Sequence, residues 1–274
     1  MIRHVATRLA TRLVLTALLL VTQLVAVSSP GFADSPCVNG LPYDTNYANG
    51  AWLTGGTQNV GTSSRPAVQG NIRTYNGFVA NAPAPYTGGE AAWLSLAGNN
   101  LGNTVLAQVG WAKTPQNPPH IYDPVWFYQW TYENGTYADA QYYNVTVLYP
   151  PTHYTYQVTT TGGGAGGIYY NFFAGGTYLG SSIELFWNKQ GHQAYSEVHN
   201  FRGDQLPGDG TAHVTFDSVQ WSPDQVSWYG SALSYEKGTP VVPGQPSRNE
   251  YPNFFDEISW LDGSNFETWD TRCP

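Results

Sequence analysis

Charged residues are scarce in this 274-residue sequence. Asp, Glu, Lys and Arg together make up 11% of it, whereas 41% of the residues are hydrophobic and 15% are aromatic. A disordered chain has the opposite composition, because it lacks apolar surface to bury. The formal net charge of −8 argues against a nucleic-acid partner, which calls for a basic surface. Runs of Ala, Glu, Lys and Leu that build coiled coils are also missing, so the composition favours a globular β-protein.

Several familiar catalytic motifs are absent as well. The sequence has no Gly-x-Ser-x-Gly turn of a serine hydrolase, and its histidines lack the His-Glu-x-x-His spacing of zinc enzymes. A laminarinase-like glycanase needs two carboxylates about 5 Å apart on one strand face. The nearest segment, residues 257–262, carries Ser259 in place of the middle acid. We therefore expect no metal and no organic cofactor.

The first 33 residues follow the three-part pattern of a secretory signal peptide. Three arginines precede an apolar run over residues 13–27, and the small residues Gly31 and Ala33 occupy the −3 and −1 positions of a cleavage site. The run is shorter than the ~20 residues of a membrane span. We expect a secreted, extracellular protein with no membrane attachment after cleavage. Loss of three arginines would change its formal charge from −8 to −11.

Only two cysteines are present, Cys37 and Cys273. Both would remain after cleavage, and an even number favours a disulfide in an oxidising compartment. Two free thiols are the alternative. A bridge between residues so close to the two ends of the mature chain predicts one closed domain.

Short runs of β-branched and aromatic residues alternate with turn residues from residue 69 onward. This spacing is typical of a β-sandwich, and Asn134-Gly135 between two runs indicates a hairpin turn. No amphipathic helix of normal length is found. The sequence thus predicts a signal peptide (1–33), an N-terminal lead segment (34–68), a β-sandwich domain (69–235) and a C-terminal wrapping segment (236–274).

Two polar residues fall on strand faces where they could carry chemistry. Alternation places Gln108 beside Gly110, whose missing side chain leaves room for the amide, and an amide can donate to a developing oxyanion. Glu197 shares its face with three other residues, Tyr195, His199 and Phe201. Burial among aromatic rings raises the pKa of a carboxyl group and suits it to proton transfer. Spacing alone nevertheless favours ordinary solvated residues, because perturbed carboxylates are the minority.

Four segments follow one another along the chain: Ala92-Trp93-Leu94-Ser95-Leu96-Ala97-Gly98, Leu106-Ala107-Gln108-Val109-Gly110, Trp126-Phe127-Tyr128-Gln129-Trp130 and Ala194-Tyr195-Ser196-Glu197. In order and spacing they resemble the motifs of the eqolisins, secreted glutamic peptidases. The segment Gln108-Val109-Gly110-Trp111 is also similar to neprosin-like domains. The resemblance covers roughly residues 70 to 230. It implies an all-β, concanavalin-like antiparallel double-sheet sandwich in a single domain.

The resemblance also implies a catalytic site. It assigns the general acid–base role to Glu197 and the orientation of water and stabilisation of the oxyanion to Gln108. The residues expected to contact the substrate are Trp93, Trp130, Tyr195 and His199. The sequence departs from the family at four positions: Ala97, Ala112 and Gln129 replace acids, and Val198 replaces a Trp.

The expected function is a secreted glutamic-peptidase-like hydrolase that acts on a protein or peptide substrate. A purely structural exported protein is one alternative, and a non-catalytic sandwich module that binds glycans or cell walls is the other. The 20 Tyr and 10 Trp support it, since aromatic rings can stack on sugars as well as fill a core.

Overall fold

The computed structural model describes residues 51–61, 65–77, 79, 88–114, 121–148, 151–199, 205–240 and 256–273. These residues form β-strands and connecting turns, and no helix occurs among them, so this part of the chain also has no helix that could cross a membrane. The predicted signal peptide and Cys37 lie outside the described residues.

Fifteen strands are found in the described part of the chain. They are β1 (Ala51–Asn59), β2 (Ala67–Arg73), β3 (Gly89–Asn100), β4 (Asn103–Thr114), β5 (Ile121–Trp130), β6 (Gln141–Val147), β7 (His153–Gly162), β8 (Ile168–Ala174), β9 (Thr177–Ser181), β10 (Asn188–His199), β11 (Val214–Ser222), β12 (Tyr229–Gly230), β13 (Ser234–Pro240), β14 (Asp256–Asp262) and β15 (Asn265–Asp270).

The strands form two antiparallel sheets. The first sheet has seven strands in the order β13-β1-β10-β3-β4-β5-β6. The second has eight, in the order β14-β15-β11-β2-β7-β8-β9, with β12 paired to β11. The fold is therefore the single-domain β-sandwich that the sequence predicts.

The main core lies between the two sheets. On β4, Val105, Ala107, Val109 and Trp111 face this core, as strand alternation predicts. Partners from the second sheet include Tyr156, Phe172 and Phe216. The alternate residues of the first sheet point to its outer face, where a smaller apolar cluster forms around Trp93, Phe127 and Tyr195. That outer face carries the candidate site.

Two segments outside the predicted sandwich limits take part in the sheets. β1 lies in the lead segment and pairs with both β10 and β13. A Cβ at Gly55 would overlap the backbone of Ala194 on β10. The close packing of the two backbones requires glycine at this position, and this explains why the sequence of β1 predicts a strand only weakly. At the other end of the chain, β14 and β15 form an edge of the second sheet instead of only wrapping it.

Candidate functional site

A cleft of about 340 Å³ opens on the outer face of the first sheet, a volume within the range of small-ligand sites. Its wall presents more apolar than polar surface. The polar residues of the wall are Glu90, Gln108, Thr114, Gln129, Tyr137, Tyr142, Glu197 and His199, and the apolar ones are Leu53, Ala91, Trp93, Leu106, Ala112, Phe127 and Ala140. The carboxylate of Glu90 points away from the cleft and accepts a hydrogen bond from the Gly77 amide at 2.6 Å.

Strand register explains why these residues meet. Glu197 on β10 pairs with Ala91 on β3, which pairs with Ala112 on β4. In the next outward-facing row, Tyr195 pairs with Trp93. Side chains in such rows point to the same face of the sheet, so β10, β3, β4 and β5 together form the floor of the cleft.

Glu197 is held by two donors. Its Oε2 accepts a hydrogen bond from Nε1 of Trp93 at 2.7 Å, and its Oε1 lies 3.0 Å from Nε2 of His199. The side chain of Glu197 is 15% exposed and that of His199 is 38% exposed. The carboxylate is thus mostly enclosed, while the imidazole reaches the mouth of the cleft.

This arrangement separates the pKa values of the two groups. Burial raises the pKa of Glu197, but the hydrogen bond and charge of His199 and the indole N–H of Trp93 outweigh it and hold the pKa below its ordinary 4.5. Burial lowers the pKa of His199, but the hydrogen bond and charge of Glu197 raise it above its ordinary 6.5. The sequence indicates both effects on Glu197, burial and the opposing charge of a protonated His199, without deciding between them; in the structure the partners together outweigh burial.

Gln108 takes part in a different set of contacts. It is 5% exposed, and its Nε2 donates to Oε1 of Gln129 at 2.9 Å. The Nε2 of Gln129 in turn donates to the carbonyl oxygen of Ala138 at 2.7 Å. The amide of Gln108 is therefore connected to the segment that follows β5.

Register separates Gln108 from Glu197 within the cleft. Gln108 pairs with Ser95, whereas Glu197 pairs with Ala91. Four residues of β3 correspond to ~13 Å along the strands, and the two strand spacings from β10 to β4 correspond to ~10 Å across them. The structure brings both residues to one cleft, where a bound molecule would have to connect them.

The other expected contact residues fall in three environments. Trp93 and His199 line the cleft. Tyr195 lies on the same face but is buried, with its ring centroid 5.4 Å from that of Trp93. Trp130 points to the opposite face and stacks on Phe172 of the second sheet at 6.5 Å. It lies in the core side of the sandwich and not in the cleft, because its neighbour Gln129 takes the outward position.

Sequence reasoning misses two tyrosines of the cleft. Tyr142 lies on β6, and Tyr137 lies in the connection between β5 and β6. The pKa of Tyr137 is raised to about 12, first by burial of its hydroxyl and then by the charge of Glu197. The hairpin that carries Tyr137 is local, but its place in the same cleft as Glu197 depends on the order of β10, β3, β4 and β5 in the sheet, which no local pattern records.

Metal-binding clusters are not found in the described part of the chain: no group of three or more His, Cys, Asp and Glu side chains there could hold an ion. The polar groups on the cleft side of the sheet are instead the carboxylate of Glu197, one imidazole, two amides and three hydroxyls. Such groups can transfer protons and donate hydrogen bonds to an organic ligand.

No known protein family matches the sequence, and no curated protein does. Among solved structures, the chain is similar to SCP-B, a member of the eqolisin family of peptidases in complex with the tripeptide Ala-Ile-His. The identity is 10% over 81% of this chain and 98% of that chain, with a TM-score of 0.41. It is also similar to the alginate lyase Aly36B, with 13% identity over 60% of this chain and 71% of that one and a TM-score of 0.38. A variant of the lyase in complex with an alginate trisaccharide has a TM-score of 0.37 at 15% identity, over 60% of this chain and 72% of that chain. These are similarities of fold and place the chain in neither family.

Proposed function

We propose that the protein is a secreted hydrolase that cleaves peptide bonds in the cleft, with Glu197 and His199 as its proton-transfer groups. The observation that carries the proposal is the pair formed by the mostly enclosed Glu197 and the more exposed His199, 3.0 Å apart, on the wall of the cleft. A carboxylate with a lowered pKa and an imidazole with a raised one are a base and an acid present at the same pH.

Glu197 and His199 can together take up and supply all the protons that such a reaction needs. The ionised Glu197 takes a proton from water, and the oxygen of that water attacks the peptide carbonyl carbon. Protonated His199 then donates its proton to the leaving nitrogen as the C–N bond breaks. The proton held by Glu197 passes to His199 across their hydrogen bond, which restores both groups. In this scheme the indole N–H of Trp93 keeps Glu197 oriented and ionised.

The lining of the cleft favours a peptide over a glycan. A sugar ring stacks on an aromatic ring only where the face of that ring is exposed. Trp93, Phe127 and Tyr195, the aromatic residues of the cleft floor, are all buried. The apolar wall can instead accept the side chains of an extended polypeptide.

The test is digestion of an unfolded protein substrate by the purified mature chain, residues 34–274, across pH 3 to 8. Replacement of Glu197 by Gln keeps the shape but removes the base, so the rate should fall by about 10²- to 10⁴-fold. Glu267→Gln is the matched control, because Glu267 pairs with His213 on the second sheet. If the wild-type chain cuts nothing, or if Glu197→Gln cuts as fast as wild type, the proposal is wrong and glycan binding becomes the leading alternative.

A further inference from the structure

The connection between β5 and β6 folds back along one side of the cleft. We call residues 131–140 the strap. Thr131 forms an isolated bridge with Tyr137, and the Tyr132 amide donates to the Thr136 carbonyl at 2.8 Å. The turn between them contains Gly135, whose φ of 80° suits glycine. The strap is thus a small closed hairpin that presents Tyr137 to the cleft.

Tyr137 and Glu197 line the same cleft from segments that are not neighbours in the sheet. The strap follows β5, and β4 and β3 separate β5 from the strand of Glu197, β10. Tyr137 is 46% exposed overall. Burial and, secondly, the charge of Glu197 raise the pKa of its hydroxyl to about 12. The hydroxyl therefore stays protonated across the working pH range and can donate a hydrogen bond.

Two glutamines fasten the strap to the sheet. Gln129 uses both ends of its amide: Oε1 accepts from Gln108 at 2.9 Å, and Nε2 donates to the carbonyl of Ala138 at 2.7 Å. A carboxylate could accept from Gln108 but could not donate to Ala138. The amide at position 129, where the eqolisin-like pattern has an acid, is therefore the group that these contacts require.

The position of Ala138 couples the glutamines to Tyr137. The Ala138 amide also donates to the carbonyl of Trp130 at 2.8 Å, so this residue is held from both sides of its backbone. Tyr137 precedes it directly. Loss of the Gln129 contact would leave the Tyr137 hydroxyl less well placed against a ligand, although the core between the sheets would be untouched.

We propose that Tyr137 is a catalytic residue of the cleft that donates its hydroxyl to a carbonyl oxygen of the bound peptide opposite Glu197, and that Gln108 and Gln129 are positioning residues that hold it through the strap. This inference rests on the proposed peptide-bond hydrolysis. It gives the buried amide of Gln108 a role that acts through Tyr137, at a distance from Glu197 that the strand register sets.

The kinetic experiment compares kcat and KM of wild type, Tyr137→Phe, Gln129→Met and the double variant on one peptide. Tyr137→Phe should lower kcat/KM by about 10- to 100-fold, the loss expected for one donor to a developing charge or a carbonyl. Gln129→Met should lose a similar factor. The double variant should lose no more than the larger single loss, because both changes remove the same contact. Tyr132→Phe, in the same hairpin but outside the cleft wall, is the control and should match wild type.

Hydrogen exchange of the Ala138 amide measures how firmly the strap is held, and the measurement does not require peptide cleavage. Exchange should become faster in Gln129→Met and Gln108→Met and stay unchanged in Tyr137→Phe.

Each outcome has one meaning. Cleavage by wild type together with full activity of Tyr137→Phe would overturn this inference and leave the proposed hydrolysis intact. Multiplicative losses in the double variant, or unchanged exchange at Ala138, would overturn the positioning role. Absence of cleavage by wild type would instead refute the proposed function, and this inference with it.

Discussion

The indole N–H of Trp93 donates to Oε2 of Glu197 at 2.7 Å and joins β3 to β10 across the floor of the cleft. The two residues are diagonal neighbours, because Trp93 pairs with Tyr195 and Glu197 pairs with Ala91. An enclosed carboxylate without donors would be neutral. The structure supplies one donor from the apolar floor and one from the mouth of the cleft, so the group stays charged, as the proposed reaction requires of its base.

Trp93→Phe tests the donor from the floor. The change keeps an aromatic ring but removes the N–H. The pKa of Glu197 should therefore rise, because burial still raises it and one of the two groups that lower it is gone. The acidic limb of the activity profile should therefore move to higher pH. A hydrogen bond to a charged group contributes ~1.5–3 kcal/mol, which sets the scale of the expected loss in unfolding free energy at neutral pH. Phe127→Leu, an apolar change in the same cleft, is the control and should leave the acidic limb in place.

His192 gives the fold a second, independent dependence on pH. It is fully buried between the sheets. Its Nε2 lies 2.8 Å from Oγ of Ser231, and its Nδ1 has no hydrogen-bond partner. Burial lowers its pKa from 6.5 to about 4. The unfolded chain therefore binds a proton at higher pH than the folded one, and stability should fall as the pH drops from 6.5 to 4.

The scale of that loss is about 3 kcal/mol, from 1.36 kcal/mol per unit of pKa difference. Urea unfolding of wild type and His192→Gln from pH 7 to pH 4 measures it. The variant should lose stability less steeply over this range, whatever its absolute stability, because it has no proton to gain at this position. Val226→Ala, a change at an exposed site that carries no titratable group, should keep the wild-type slope. Equal slopes in wild type and His192→Gln would contradict the prediction.

Gly110 allows β3 and β4 to approach below the cleft. A Cβ at this position would overlap the carbonyl oxygen of Ala92 and lie 2.8 Å from Cβ of Trp93. Gly110→Ala should therefore lower the free energy of unfolding by about 1–3 kcal/mol, the usual cost of overpacking. Gly164→Ala is the matched control, because nothing lies within 4 Å of its Cβ position. Thermal unfolding measures the stability of both variants. A Gly110→Ala protein as stable as the Gly164→Ala control would contradict the prediction.

The disulfide between Cys37 and Cys273 stays a prediction of the sequence. Cys273 is buried at the end of the described chain, and Cys37 lies outside the described residues. A loop of this length would restrict the unfolded chain by about 5 kcal/mol in the chain-entropy model. The intact mass of the mature protein should rise by two hydrogens on reduction, and reduction should lower its thermal midpoint. Labelling of two thiols in the native, unreduced protein would show that the bridge is absent.

Strand alternation predicts much of the fold. It correctly separates the core-facing residues of β4 from Gln108, and it places Tyr195, Glu197 and His199 on one face of β10. These outcomes depend only on the two-residue period of a strand, which the sequence records directly. The hairpin turn at Asn134-Gly135 is equally local and is also confirmed.

The features that the sequence does not predict depend on contacts between segments that are distant along the chain. The sequence of β1 predicts a strand only weakly, because Gly55 is needed for its close packing on β10. The residues of β1 do not by themselves indicate that β10 is its neighbour. The resemblance implies that Trp130 contacts the substrate. In the structure its ring instead stacks on Phe172 of the second sheet. Tyr137 shares a cleft with Glu197 because β10, β3, β4 and β5 lie side by side in one sheet. Such positions follow from tertiary packing, which one sequence does not encode as a local pattern.

His199→Gln tests the pair at the centre of the proposed reaction. In the wild type, activity should rise as Glu197 ionises below pH 4.5 and should fall as His199 loses its proton above pH 6.5. The variant lacks the acid, so the alkaline limb should disappear and the rate should drop by about 10²- to 10⁴-fold. Its acidic limb should move to higher pH, because Glu197 loses the positive charge that lowers its pKa.

The same substitution has a signed effect on stability. The lowered pKa of Glu197 means that its contacts stabilise the fold above its ordinary pKa of 4.5 and that this stability is lost as the pH falls through the lowered value. The raised pKa of His199 means that its contribution is present below 6.5 and is lost as the pH rises through the raised value. The difference in unfolding free energy between wild type and His199→Gln should therefore be largest between pH 4.5 and 6.5 and should shrink on both sides. Urea unfolding across pH 3 to 9, run beside the activity profile, measures both effects. A difference that does not vary with pH would mean that Glu197 and His199 do not form an ion pair in solution.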